Sequence, residues 1–169
     1  MRHVLALTLT AMLGGAAIAA DEFTLTGENT KIEFIGSKPE GKHNGGFKTL
    51  EGTASAERIE VTIDTASIYS DDRKLTAHLK SPDFFDVKTN PKAKFVTTQI
   101  AKGSDGYTVT GDLTLNGKTK AISFPAKIST EGGYKLNAEF TIDRTQFGMT
   151  YGKGKIHDDV KLTVAVSAK

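Results

Sequence analysis

Cysteine is absent from all 169 residues. That excludes disulfides and a catalytic thiol, so the fold must rest on its core alone. A long basic block is also missing. Lys and Arg total 22 against 20 Asp and Glu, with both signs interleaved along the chain. That balance argues against nucleic acid as a partner. Beyond residue 20 no apolar run is long enough for a membrane-crossing helix. Proline is sparse, with four residues against seventeen glycines, a ratio that suits long strands joined by tight turns. The chain lacks a G-x-S-x-G nucleophile elbow and an H-E-x-x-H zinc motif. His43, His78 and His157 show no zinc-ligand spacing. His157-Asp158-Asp159 has the donors for a loose cation site, but a strand-entry turn explains it better. No catalytic residue and no metal ligand is expected, and the chain does not read as an enzyme.

The first residues read as an address. Arg2 and His3 form a positive start, Val4 to Ala16 is apolar, and Ala17-Ile18-Ala19 is an A-x-A cleavage pattern. A signal peptide over residues 1–19 is therefore expected, with one domain over residues 20–169. About 150 residues suffice for such a domain, which buries roughly 70% of its unfolded surface. An exported chain without cysteine points to the periplasm.

The remainder alternates as β-structure does. Phe23 and Leu25 precede a turn at Gly27-Glu28-Asn29, and Lys31 to Ser37 forms the next apolar run. Gly36 to Gly46 is glycine- and lysine-rich and reads as a loop. Ile59, Val61 and Ile63 alternate with Glu60, Thr62 and Asp64, the signature of a strand with one wet face. Asp105-Gly106, Asn116-Gly117 and Gly132-Gly133 are hairpin-turn dipeptides. Between and after them, apolar residues fall on one face, including Leu113, Phe124, Phe140 and Val164. Sequential hairpins with one apolar face predict an all-β, antiparallel up-and-down barrel of about eight strands, which removes exposed edges. A β-sandwich meets the same pattern. The small inward residues Gly111, Ala126 and Ala138 leave two alternatives: room along the axis, or seats for aromatic neighbours.

One stretch breaks the alternation. Asp71 to Asp86 reads D-D-R-K-L-T-A-H-L-K-S-P-D-F-F-D. Leu75 and Leu79 are four apart on one helical face. A short helix near residues 71–81 is predicted, capped by Ser70 or Asp71 and stopped by Ser81-Pro82. It is expected to plug or gate one end of the barrel.

Several motifs in order resemble the YceI-like family of periplasmic polyisoprenoid-binding proteins. They are H-L-K-S-P-D-F-F-D (His78 to Asp86), N-P-K-A-K-F (Asn90 to Phe95), and Gly46-Phe47 with Gly52. They continue with G-D-L-T-L-N-G (Gly111 to Gly117), D-R-x-x-F-G (Asp143 to Gly148) and D-D-V-K-L (Asp158 to Leu162). Asn90 stands where the family more often has tyrosine. The resemblance implies a lipocalin-like barrel whose apolar pocket holds an isoprenoid quinone, a polyprenyl species or another long-chain lipid. That lipid would be a ligand, with no separate cofactor, and the protein a non-enzymatic carrier. The alternatives are a compact envelope-stress barrel acting through a protein partner, or a hydrolase or isomerase working on a lipid-like substrate. Transient contact with a membrane surface and a monomeric or homodimeric state are compatible with the carrier.

On this reading Phe34, Phe84, Phe85, Phe95, Phe124, Phe140 and Phe147 line the pocket, though each also fits plain core packing. His78 and Arg144 are candidate headgroup contacts. The bland role for His78 is packing, and for Arg144 an ion pair with Asp83 or Asp86. Lys38, Lys42, Lys153 and Lys155 sit in glycine-rich loops. They are either solvated charges or contacts for pyrophosphate or membrane headgroups at the barrel mouth.

Overall fold

The computed structural model describes residues 21–169. The expected signal peptide, residues 1–19, lies outside them. Eleven strands form one antiparallel sheet that curls into a barrel. The first six are mostly short: β1 (Phe23–Thr26), β2 (Thr30–Lys38), β3 (Gly41–Phe47), β4 (Leu50–Ala54), β5 (Ile59–Asp64) and β6 (Ile68–Ser70). The last five are long: β7 (Lys92–Lys102), β8 (Tyr107–Leu115), β9 (Lys118–Ser129), β10 (Tyr134–Asp143) and β11 (Asp159–Ala168).

The short strands are halves of bent strands. β1 pairs with β4 while β2, its continuation, pairs with β3. In the same way β5 pairs with β4 and β6 with β3. Three bent strands and five long ones make eight passes, the expected number, in up-and-down order. The barrel closes where β11 meets β2. Chain direction, turn chemistry and alternation agree at the Asp105-Gly106, Asn116-Gly117 and Gly132-Gly133 hairpins. At Asn116-Gly117 both residues have positive φ, 50° and 71°, as a two-residue turn between twisted strands requires.

Two local expectations change. Gly36 to Gly46 is not a loop but most of a hairpin, with only Pro39 and Glu40 between β2 and β3. Its glycines have a packing reason. Gly45 faces Phe34 across the strands, and a Cβ there would collide with Cζ of the ring. The glycine is therefore the seat of the aromatic. Gly111 does the same for Phe95, whose Cζ is 2.6 Å from where a Cβ would stand. Of the two alternatives for Gly111, the structure takes the seat.

The second change concerns the helix, α1 (Arg73–Leu79). Its cap is Asp72, not Ser70 or Asp71; the Asp72 carboxylate accepts the Leu75 N–H at 2.7 Å. Asp71 instead ties the segment to β3, accepting the Asn44 N–H and bonding His43 Nδ1. At seven residues α1 is too short to be stable alone. Leu79 is buried and Leu75 packs against the core, so tertiary contact holds it.

Candidate functional site

The inward faces of the strands do not meet across the axis. They enclose a cavity of about 320 Å³, within the ~300–1,000 Å³ range of small-molecule sites. Its wall is almost wholly hydrocarbon. Among the seven phenylalanines expected there, six line it: Phe34, Phe84, Phe85, Phe95, Phe124 and Phe140. Phe124 and Phe140 stack with centroids 4.1 Å apart and planes 8° from parallel. Phe147 is the exception. It is 1% exposed and packs in the core, off the cavity wall. It sits in a 3-10 turn (Arg144–Phe147) beside β9, and its carbonyl accepts from Asn116 Nδ2. Asn116 in turn accepts from Asn90 Nδ2. The departure at Asn90 therefore supplies a hydrogen bond where a ring would have been.

The cavity is a blind pocket. At one end its wall is Leu25, Thr30, Ile59, Tyr134 and Val166, all buried. Tyr134 is fully buried and its hydroxyl has no partner among the described residues. Desolvation first, and the nearby Tyr107 second, push its pKa up to about 12. At the other end the wall includes Gly36, Ser37, Lys38, His43, Ile156 and His157. Lys38 and His157 are exposed, so the cavity reaches the surface there. Leu75 and Leu79 of α1, with Phe84 and Phe85 just after it, complete the wall. The wall carries no aspartate or glutamate among the described residues.

The mouth is built on Arg144. This side chain is only 5% exposed, and all five of its N–H groups donate. Nε bonds the His157 carbonyl, and Nη1 those of Met149 and Tyr151. Nη2 bonds the Ile156 carbonyl and Asp158 Oδ1, the latter at 3.2 Å. The ion pair is thus with Asp158, not with Asp83 or Asp86. Arg144 touches the cavity wall, but it has no donor left for a headgroup. Its role is to fold residues 149–157 into the loop that forms one side of the opening. Asp143 starts that turn by accepting the Thr145 hydroxyl and N–H, which hold its carboxyl below the usual range.

His78 lies off the cavity wall. Its Nε2 bonds Asp83 at 2.8 Å, and its ring packs edge-on against Phe84 and Tyr151. It locks the mouth loop to the helix segment. The polar groups that do face the opening are Ser37, Lys38, His43 and His157, of which the sequence flagged only Lys38 as a mouth contact. Ser37 Oγ and His157 Nδ1 are 3.2 Å apart, across 120 residues of chain. No local pattern announces such a pair.

A family model described as the YceI-like domain matches residues 23–168. This chain belongs to the YceI-like family. A UPF0312 protein of Serratia proteamaculans is 36% identical, over 98% of this chain and 95% of that protein. One from Pseudomonas aeruginosa is 34% identical, over 96% and 93%. Among solved structures, BcnA of Burkholderia cenocepacia superposes with a TM-score of 0.71 at 24% identity, over 81% of this chain and 94% of that one. A polyisoprenoid binding domain from Saccharophagus degradans gives 0.69 at 14% identity, over 87% and 97%. At these identities the structures speak for the fold. The YceI-like barrel, with one short helix against its wall, is the architecture of this chain.

Proposed function

We propose that this YceI-like barrel is a non-enzymatic carrier in the periplasm. It holds an isoprenoid lipid, either a quinone or a polyprenyl species, with the tail in the cavity and the polar end at the mouth. The observation that carries this reading is the blind apolar cavity. Hydrocarbon is its natural content, and the charged and imidazole groups of its lining other than Arg144 gather at one end, at Lys38, His43 and His157. Burying about 400 Å² of hydrocarbon contributes ~10 kcal/mol at about 25 cal/mol per Å². That is of the order of the ~4–15 kcal/mol cost of association, so a short apolar fragment would not be retained and a long tail would. The S. degradans neighbour, described as binding polyisoprenoid, supports the same class of ligand. A wall without carboxylates supports carriage over acid–base chemistry. Ser37, Lys38, His43 and His157 are the groups assigned to the headgroup. Arg144 and His78 are assigned to holding the mouth in shape.

The test is native mass spectrometry of the protein purified from its own periplasm, with the extracted ligand identified. A stoichiometric quinone or polyprenyl mass is expected. Phe140→Asp puts a carboxylate against the Phe124 ring inside the cavity. That variant should fold but lose the added mass, since an unpaired charge does not share an apolar pocket with hydrocarbon. Protein that carries no lipid, and takes up none when a polyprenol is added, would overturn the proposal.

A further inference from the structure

We infer that the rim of the cavity mouth is a docking surface for an anionic lipid bilayer. The inference rests on the carrier reading, because a hydrocarbon cargo must pass between membrane and cavity without crossing open water. The tip of the β2–β3 hairpin and the 149–157 loop form the rim, and the structure joins them. The His157 N–H donates to the Ser37 carbonyl at 3.0 Å, beside the Ser37–His157 side-chain contact. The hairpin tip carries Lys38 and Lys42, and the loop carries Lys153 and Lys155. All four are exposed, and none forms an ion pair among the described residues.

The acids at this end are largely engaged. Asp71 bonds His43 and the Asn44 N–H, Asp72 caps α1, and Asp158 pairs with Arg144. A hydrogen-bonded carboxylate keeps its charge, so Glu40, Asp71, Asp72, Asp83 and Asp159 stand against the four lysines and Arg73 and Lys74 at the start of α1, while Asp158 is matched by Arg144. The rim keeps a small positive excess where the apolar cavity opens, concentrated in the four exposed lysines. Such a rim is attracted to anionic headgroups.

A second observation points the same way. Tyr151 is the large hydrophobic residue that the barrel leaves exposed, at 47%. It lies in the same loop as Lys153 and Lys155. Its ring is held against His78 and Phe84, at 4.6 Å and 5.5 Å between centroids. Arg144 fixes its carbonyl. An amphipathic ring pinned beside lysines suits the headgroup level of a bilayer.

The experiment is flotation of the full protein with vesicles. One set is an equal mixture of phosphatidylcholine and phosphatidylglycerol, and the other is phosphatidylcholine alone. Binding is expected to the mixed vesicles only, and high salt should release it. The double variant K153Q/K155Q, altered only at exposed loop positions, should lower partition by roughly 30-fold, and Tyr151→Ser should lower it further. The control K127Q/K135Q, at the blind end, should leave it unchanged. Uptake of an added polyprenol, read by native mass spectrometry, should be normal in K153Q/K155Q. Absence of flotation, equal binding to both vesicle sets, or no effect of K153Q/K155Q overturns the docking surface, even where polyprenol uptake proceeds. Failure of the unaltered protein to take up polyprenol overturns the carrier reading, on which the docking inference rests.

Discussion

Tyr134 is a hydroxyl that the barrel buries without a partner. An unsatisfied buried polar group costs ~1–3 kcal/mol, so Tyr134→Phe should raise stability by up to ~1 kcal/mol at neutral pH. The pKa adds a sign that separates this from better packing. The phenol titrates at about 12 when folded, against 10.0 ordinarily. A raised folded pKa means the contribution is complete below pH 10 and fades as pH rises from 10 towards 12. Urea denaturation at pH 7 and pH 11 should therefore show a larger advantage for the variant at the higher pH. The alternation of β10 already pointed Tyr134 inward, but whether its oxygen meets a partner depends on strands far away in sequence. Arg144 shows the same limit. The D-R motif marked it as important and left headgroup and ion pair as alternatives. Four of its five acceptors are carbonyls of a loop that the arginine itself folds, and a sequence does not show carbonyls. His43 was visible only as a histidine without zinc spacing, and His157 beyond that only as part of a weak cation pattern at a strand entry.

At the scale of elements, the helix was legible and its cap was off by one residue. Asp71 and Asp72 are both good caps, and the choice is made by β3, whose Asn44 N–H claims Asp71. That bond, with His43 second, keeps the Asp71 carboxyl below its usual range. Asp72→Ala should therefore cost ~1 kcal/mol, seen first as faster amide exchange in Arg73–Leu79. Exchange of the β8 and β9 amides should change little, because a seven-residue helix opens locally before the barrel does. The three hairpin dipeptides were legible because φ > 0 is a local demand that few residues meet. The β2–β3 hairpin was not. Gly45 is there to accept the Phe34 ring from the neighbouring strand, and a glycine that seats an aromatic looks the same in sequence as one that frees a loop.

For the whole molecule, the pattern of apolar faces predicted a closed barrel of eight passes. It did not show that three of them bend at Gly27–Asn29, Lys48-Thr49 and Thr65–Ser67. Nor did it show whether the inward side chains meet, since that depends on radius, tilt and rotamer together. The structure leaves a cavity closed at Tyr134 and open at Lys38 and His157, and that asymmetry has a measurable consequence. In a blind pocket each methylene added to a bound polyprenyl tail contributes ~0.8 kcal/mol, about fourfold in affinity, until the tail reaches Leu25 and Tyr134. A longer tail must then fold back or push its polar end out of the mouth, and affinity should fall. A tunnel open at both ends would let the extra length protrude, and affinity would level off. Calorimetric titration with prenols of increasing length should therefore give a rise followed by a decline. A plateau would mean that the end of the barrel at Tyr134 opens when the ligand enters.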